Sequence, residues 1–302
     1  GFENPTEVQE KAIPLLLEQE TDLVALAQTG TGKTAAFGFP VIQKIDADNR
    51  NTQALILSPT RELCLQITNE IKLYSKYEKG INVVAVYGGA SITEQARDIK
   101  RGAQIIVATP GRMQDMINRG LVNITQINYC ILDEADEMLN MGFYEDIVNI
   151  LSTTPDEKST WLFSATMPAE VARIAKQFMH NPLEITVGTK NSGSATVSHE
   201  FYLVNARDRY EALKRLADAN PDIFSVVFCR TKRDTQQVAE KLIEDGYNAA
   251  ALHGDLSQAQ RDSVMKSFRG RQIQMLVATD VAARGIDVDN VTIPNPQYAP
   301  KP

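Results

Sequence analysis

The apolar stretch Tyr129-Cys130-Ile131-Leu132 runs straight into Asp133-Glu134-Ala135-Asp136, which places three acidic residues where a buried strand would emerge from a sheet. Charge at such a place is costly unless a metal ion or another cation compensates it. Upstream, a second apolar stretch, Leu23-Val24-Ala25-Leu26, leads into Ala27-Gln28-Thr29-Gly30-Thr31-Gly32-Lys33-Thr34. The spacing is that of a phosphate-binding loop in which alanine takes the place of the usual first glycine. Thr29, Gly30, Thr31 and Gly32 would turn backbone amides toward phosphate oxygens, Lys33 would reach the terminal phosphates, and Thr34 would offer its hydroxyl to magnesium. Asp133 is suited to hold the same ion, directly or through water, because magnesium keeps part of its hydration shell. Glu134 would then orient or deprotonate the water that attacks a γ-phosphate.

Plainer readings compete with this one. The first loop could be a glycine-rich turn before a helix, although a strand pattern before it and a helical pattern after it favour phosphate binding. The acidic stretch could be a helix start favoured by the dipole, which suits Asp136 and Glu137 better than Asp133. Together the two stretches justify a P-loop nucleotidase with a magnesium site, and no more than that.

The elements that must position these residues are short apolar runs alternating with amphipathic stretches. Leu23–Ala27, Ala54–Leu57, Val83–Tyr87, Ile105–Ala108, Tyr129–Leu132, Trp161–Phe163 and Leu183–Val187 read as strands of a mostly parallel sheet with helices on both faces. Ligands of such sheets bind beyond the carboxyl ends of the strands. Residues 188–196 are small and polar without periodicity, which marks a linker. The alternation then restarts, with strands expected at Phe201–Val204, Val226–Cys229, Ala249–Leu252 and Met275–Ala278 and helices at Arg209–Ala219, Thr235–Asp245 and Gln258–Phe268. Two α/β units follow, at 1–187 and 197–292, able to open and close around something bound between them. Residues 293–302 contain four prolines and cannot complete the second sheet, which therefore reads as incomplete.

Composition excludes little else. With 43% hydrophobic and 23% charged residues the chain reads as a soluble globular protein. No apolar run approaches a membrane span and no signal-peptide pattern opens the sequence, so a cytoplasmic setting is expected. Cys64, Cys130 and Cys229 are odd in number, distant in sequence and set in apolar segments, as buried free thiols would be. A net charge of −7 argues against a generally basic surface without excluding a local basic groove.

Several further motifs occur in order, and with them the chain closely resembles the DEAD-box ATP-dependent RNA helicases of bacterial type over nearly all of residues 1–292. The resemblance implies two tandem RecA-like domains, ATP and magnesium as ligands, and RNA as partner. In Phe2-Glu3-Asn4-Pro5-Thr6-Glu7-Val8-Gln9 it assigns Phe2 to the ATP site and Gln9 to the adenine edge, where a carboxamide offers donor and acceptor together. Pro59-Thr60-Arg61, Gly88-Gly89 and Thr109-Pro110-Gly111-Arg112 resemble loops that grip the RNA backbone, a mode that carries no base sequence. Ser164-Ala165-Thr166 resembles the motif that couples ATP to strand separation, with Asp136 as its acidic counterpart. In the second unit the resemblance gives Arg230 and Thr279 to RNA and Asp287 to the ribose of ATP. Each motif alone admits a structural reading, and for three loops together that reading is weak.

The sequence departs from the family pattern in two places. It opens inside the adenine motif, and after Thr292 the run Ile293-Pro294-Asn295-Pro296-Gln297-Tyr298-Ala299-Pro300-Lys301-Pro302 stands where the resemblance implies a strand and an arginine-rich motif reaching the γ-phosphate. Arginines of that kind contribute on the order of three to five decades of rate. The expectation is a core clipped at both ends, able to bind ATP and RNA and poor at hydrolysis. Its rivals are an ATP-gated RNA clamp without productive hydrolysis and a DNA translocase.

Overall fold

A computed structural model describes residues 4–188, 200–279 and 282. The chain divides into two compact units, Gly1–Val197 and Ser198–Pro302. Among the described residues no helix is long and apolar enough to cross a membrane.

The first unit is built on seven parallel strands: β1 (Leu23–Leu26), β2 (Ala54–Leu57), β3 (Val83–Val86), β4 (Ile105–Ala108), β5 (Tyr129–Leu132), β6 (Ser159–Ser164) and β7 (Leu183–Thr186). They lie in the order β3-β4-β2-β5-β6-β1-β7. The four residues of β2 show why continuous apolar runs are required. Ala54 and Ile56 point into one core, Leu55 and Leu57 into the other, and all four are fully buried. Helices α1 (Glu7–Glu18), α2 (Lys33–Lys44) and α3 (Arg61–Tyr74) cover the first face through residues such as Leu16, Phe37 and Ile67. The other face is covered by α4 (Ile92–Lys100), α5 (Pro110–Asn118), α6 (Ala135–Asn140), α7 (Tyr144–Leu151) and α8 (Ala169–Phe178). Cys64 and Cys130 are buried in these cores, and loss of solvation pushes both thiols up to about 12, so neither is a nucleophile near neutral pH.

One buried carboxylate stitches the sheet. Asp22, at the start of β1, accepts the backbone amide of Thr160 at 2.6 Å through Oδ1 and the amide of His180 through Oδ2. It thereby joins the entrances of β1, β6 and β7.

Among the described residues the second unit has three parallel strands, β8 (Ser225–Cys229), β9 (Ala249–Leu252) and β10 (Met275–Thr279), in the order β8-β10-β9. Helices α9 (Arg209–Asp218) and α10 (Lys232–Glu244) pack on one face through Ala217 and Leu242; α11 (Gln258–Arg269) packs on the other through Met265 and Phe268. Helix α10 begins three residues before the expected Thr235, because the Thr231 hydroxyl caps it by accepting the Asp234 amide at 3.1 Å.

The strand expected at Phe201–Val204 is absent. These residues form no regular element, and Phe201 and Leu203 are 85% and 92% exposed. β-branched and aromatic composition favours a strand only where a neighbour supplies ladder bonds and a surface to cover, and no described strand pairs with this segment. All but Gly188 of the expected linker at 188–196, and the tail at 293–302, lie outside the described residues.

Candidate functional site

All seven strands of the first sheet are parallel, so the loops that follow them emerge along one edge. The strand order sets the loops after β5, β6 and β1 side by side, and likewise those after β3, β4 and β2.

The loop after β1 makes its turn with Gly30 and Gly32 in the left-handed region, at φ 75° and 85°. At Gly32 the φ of 85° would strain any residue other than glycine, and a Cβ would come within 2.4 Å of Gln9 Nε2 and displace that amide. The loop is fastened from helix α1. The Thr6 hydroxyl donates to the Thr31 carbonyl at 2.8 Å, and Gln9 Nε2 donates to the Gly32 carbonyl at 3.1 Å. Gln9 Oε1 accepts the Thr6 amide at 3.0 Å, closing a capping box at the start of α1. Adenine recognition was the only role the sequence suggested for Gln9, and it left Thr6 without one. The Thr-x-x-Gln spacing before an apolar run was the available signal.

Lys33 opens α2, is 6% exposed, and donates from Nζ to the Ala27 carbonyl at 3.3 Å. Its ammonium is thus folded back over its own loop. Thr34 is the next residue of the helix and half-buried; Thr29 and Gly30 are exposed, and nothing lies within 4 Å of where a Gly30 side chain would start. This open side is where a phosphate would enter.

At the end of β5 the Asp133 carboxylate is 3% exposed, and its Oδ1 accepts the Glu134 amide at 3.0 Å. Burial raises its pKa, while the Lys33 ammonium pulls it back. Glu134 has φ 51° and ψ 51°, a left-handed conformation that costs a non-glycine residue about 1–2 kcal/mol. Burial first, and then the charge of Asp133, push its carboxyl up to about 7. Asp136 is held differently. Its Oδ2 accepts the Thr166 amide at 2.9 Å and the Thr166 hydroxyl at 2.7 Å, and its own amide donates to Ser164 Oγ at 3.2 Å. Ser164 ends β6, so Asp136, Ser164 and Thr166 form one hydrogen-bonded bridge between the loops after β5 and β6.

The neighbouring half of the edge is cationic. Thr60, after Pro59, caps α3 by accepting the Leu63 amide at 3.2 Å, and the Arg61 guanidinium stands 4.9 Å from the centre of the Tyr87 ring. Gly88 and Gly89 form the turn after β3, with Gly89 at φ 81°. Thr109 and Pro110 begin α5, Gly111 follows, and Arg112 donates from Nη1 to the Ala90 carbonyl at 3.0 Å and to Gln95 Oε1 at 3.1 Å. Tyr87 and Gln95, which set these two guanidinium groups, went unnoticed in the sequence; no local spacing marks them.

In the second unit Arg230 follows β8 and is exposed, while Thr279 ends β10 opposite Cys229, its hydroxyl accepting the Ala282 amide at 3.3 Å. The two therefore share the carboxyl edge of that sheet. Phe2 and Asp287 lie outside the described residues.

The family model described as DEAD/DEAH box helicase matches residues 6–174, more than half of the chain. The chain belongs to that family. The model of the helicase conserved C-terminal domain matches residues 208–293. This DEAD-box chain is 48% identical over 292 residues, or 97% of its length, to a protein named ATP-dependent RNA helicase CshA of Listeria monocytogenes, of which it covers 56%. The chain spans little more than half the length of several such curated relatives. Among solved structures it is similar to a DEAD box protein from the hyperthermophile Methanococcus jannaschii, with 45% identity, TM-score 0.60, and coverage of 96% of this chain and 78% of that one. It is also similar to Saccharomyces cerevisiae Dbp5 bound to RNA and ADP BeF3, with 30% identity, TM-score 0.86, and coverage of 96% and 74%. With these likenesses, the two α/β units of the DEAD-box chain are RecA-like domains.

Proposed function

We propose that this chain is the core of an ATP-dependent RNA helicase, which binds ATP at the loops after β1 and β5 and grips RNA through the loops after β2, β3 and β4. The observation that carries the reading is a pair of buried opposite charges on the same sheet edge, after β1 and β5 with β6 between them: Lys33 folded over the glycine turn and Asp133 at the end of β5, each within reach of the other's field. Nothing on a structural surface requires that pair, whereas a terminal phosphate and its cation would use both members.

The donor set suits magnesium. Among the described residues no cluster of three or more His, Cys, Asp or Glu side chains is arranged to hold a metal. One carboxylate, Asp133, and one hydroxyl, Thr34, are what an ion that keeps waters and shares phosphate oxygens needs from a protein. Bound there, magnesium would neutralise part of the phosphate charge. The chain's own groups do the rest. Backbone amides of Thr29 to Gly32 cradle the phosphates, Lys33 swings from the Ala27 carbonyl to the terminal phosphate, and Gln9 and Phe2 serve the adenine. Glu134 takes the proton of the attacking water on a carboxylate poised near neutrality. The bridge of Asp136, Ser164 and Thr166 passes the state of the nucleotide to the rest of the edge. Arg61, Arg112, the hydroxyls of Thr60 and Thr109 and the amides around Gly88, Gly89, Pro59, Pro110 and Gly111 hold phosphates without reading bases. Arg230 and Thr279 extend that grip on the second unit, with Asp287 on the ribose. Residues 1–187 form the ATP-binding domain and 197–292 the second helicase domain.

A second reading has one observation in its favour. Residues 293–302, where the family resemblance implies an arginine-rich motif, contain no arginine, which supports an ATP-gated RNA clamp without productive hydrolysis. Both readings are tested by ATP turnover with RNA and with DNA of equal length. RNA is expected to stimulate more; stronger stimulation by DNA overturns the substrate assignment, and turnover equal to that of intact family members overturns the clamp.

A further inference from the structure

The amino ends of the strands in the first sheet carry a hollow that the nucleotide and RNA edge does not use. It measures about 290 Å³, and Arg50, Asn51, Lys100, Arg101 and Gln126 are among the residues that line it; none of its lining residues is acidic. Arg50 and Asn51 precede β2, Lys100 and Arg101 precede β4, and Gln126 precedes β5. Three segments distant in sequence therefore deliver their cations and amides to one place. The same strands lead at their other ends to the loops of Thr60, Thr109 and Asp133, so the length of a four-residue strand, about 13 Å, separates the hollow from the edge described above.

In a chain with net charge −7, three cations line one hollow with no acid in its lining, while Asp98 outside it pairs with Arg101. Arg50 and Arg101 have contacts of their own before any ligand arrives. Arg50 lies against Gly102, where an added Cβ would stand in ordinary contact with the arginine at 3.5 Å but a φ of 106° would strain any residue other than glycine. Arg101 is pinned by Asp98 at 3.3 Å, and Asn51 Nδ2 donates to Gln126 Oε1 at 3.3 Å. Guanidinium forks and amide donors at the rim of a hollow this size match the oxygens of phosphate groups. We propose that this hollow binds phosphate anions, supplied either by a length of RNA beyond the part gripped at the opposite edge or by a free polyphosphate.

The test uses the whole chain and a variant carrying Arg50→Gln, Lys100→Gln and Arg101→Gln, three exposed positions outside the proposed catalytic and RNA-gripping loops. Affinity is measured across a salt series for single-stranded RNA of about 8 and about 30 nucleotides, the shorter spanning one edge only. Inorganic tripolyphosphate is titrated separately while the side-chain amide signals of Asn51 and Gln126 are followed by NMR. If RNA is the source, the variant loses about tenfold affinity for the long RNA only, and its salt slope falls by about 2, at about 0.7 per phosphate contact. If free polyphosphate is the source, tripolyphosphate shifts the two amide signals in the parent and not in the variant, and RNA affinity is unchanged. No shift together with no loss overturns the site, as does an equal loss for both RNA lengths. The RNA arm rests on the proposed RNA binding and the tripolyphosphate arm does not: failure of the short RNA to bind the parent would count against the former alone.

Discussion

At the end of β5 the carboxylates of Asp133 and Glu134 are withdrawn from water and titrate above their ordinary range. At the ends of β2, its immediate neighbour, and of β4, one strand further, Arg61 and Arg112 are half-buried and held by a tyrosine ring and a carbonyl. One sheet edge thus treats its two charge types in opposite ways. A carboxylate made uncomfortable by burial gains free energy from a cation or a proton, which is what a reacting site requires. A guanidinium does not deprotonate; a ring face or a carbonyl fixes its plane while its charge stays constant, which is what a grip requires. The acidic half is built to change state and the basic half to stay as it is.

The hardest challenge to this division is Lys33→Ala. It removes the charge that offsets Asp133 and is expected to weaken ATP binding on the order of 100-fold, the size seen when one partner of a buried charge pair is truncated. Titration with a fluorescent ATP analogue checks it, and unchanged affinity would remove the acidic half from the nucleotide site. Glu134→Gln should spare ATP affinity while single-turnover hydrolysis falls by about two to four decades. Turnover like that of the parent would show that another group takes the proton.

The pH dependence sharpens the same point. With Glu134 at about 7, hydrolysis should fall as pH drops through 7 and level off above it, because only the ionised form accepts a proton. Stability moves the other way. The folded protein holds this proton up to about 7 and the unfolded chain releases it near 4.5, so the burial of Glu134 costs stability that grows between these values and is complete above 7. Glu134→Gln should therefore raise the melting temperature relative to the parent at pH 8 and by less at pH 5.

Smaller effects are expected in the basic half. Arg61→Ala and Arg112→Ala should each weaken RNA binding by about 1–2 kcal/mol, irrespective of base sequence, and lower the salt slope by about 0.7. A loss confined to particular sequences would make these groups readers rather than grips. Smallest is Thr166→Val, which removes one of the two bonds to Asp136 Oδ2 and leaves the amide bond in place. ATP turnover is expected within a few-fold of the parent while strand separation per ATP declines, as measured on a short duplex.

The seven strands of the first unit could be read from the sequence because burial on both faces demands unbroken apolar runs, and those runs end where the loops begin. The glycine turn, Lys33 and Asp133 were legible for the same reason: each follows such a run at fixed spacing. Phe201–Val204 looked identical by composition and forms no strand, since pairing belongs to the neighbour and not to the segment. Burial of Glu134, the ring of Tyr87 beneath Arg61 and the hold of Gln95 on Arg112 arise from residues far apart in sequence, which no window of a few residues contains.

The left-handed backbone at Glu134 has an evolutionary price. Glycine or asparagine at that position would relax the chain by about 1 kcal/mol, and either would also remove the buried charge. A laboratory screen that rewards heat resistance alone should therefore return Glu134→Gly or Glu134→Asn among its first winners, each inert as an ATPase. With Glu134 in its proposed role, endurance and turnover would be traded against one another at this one residue.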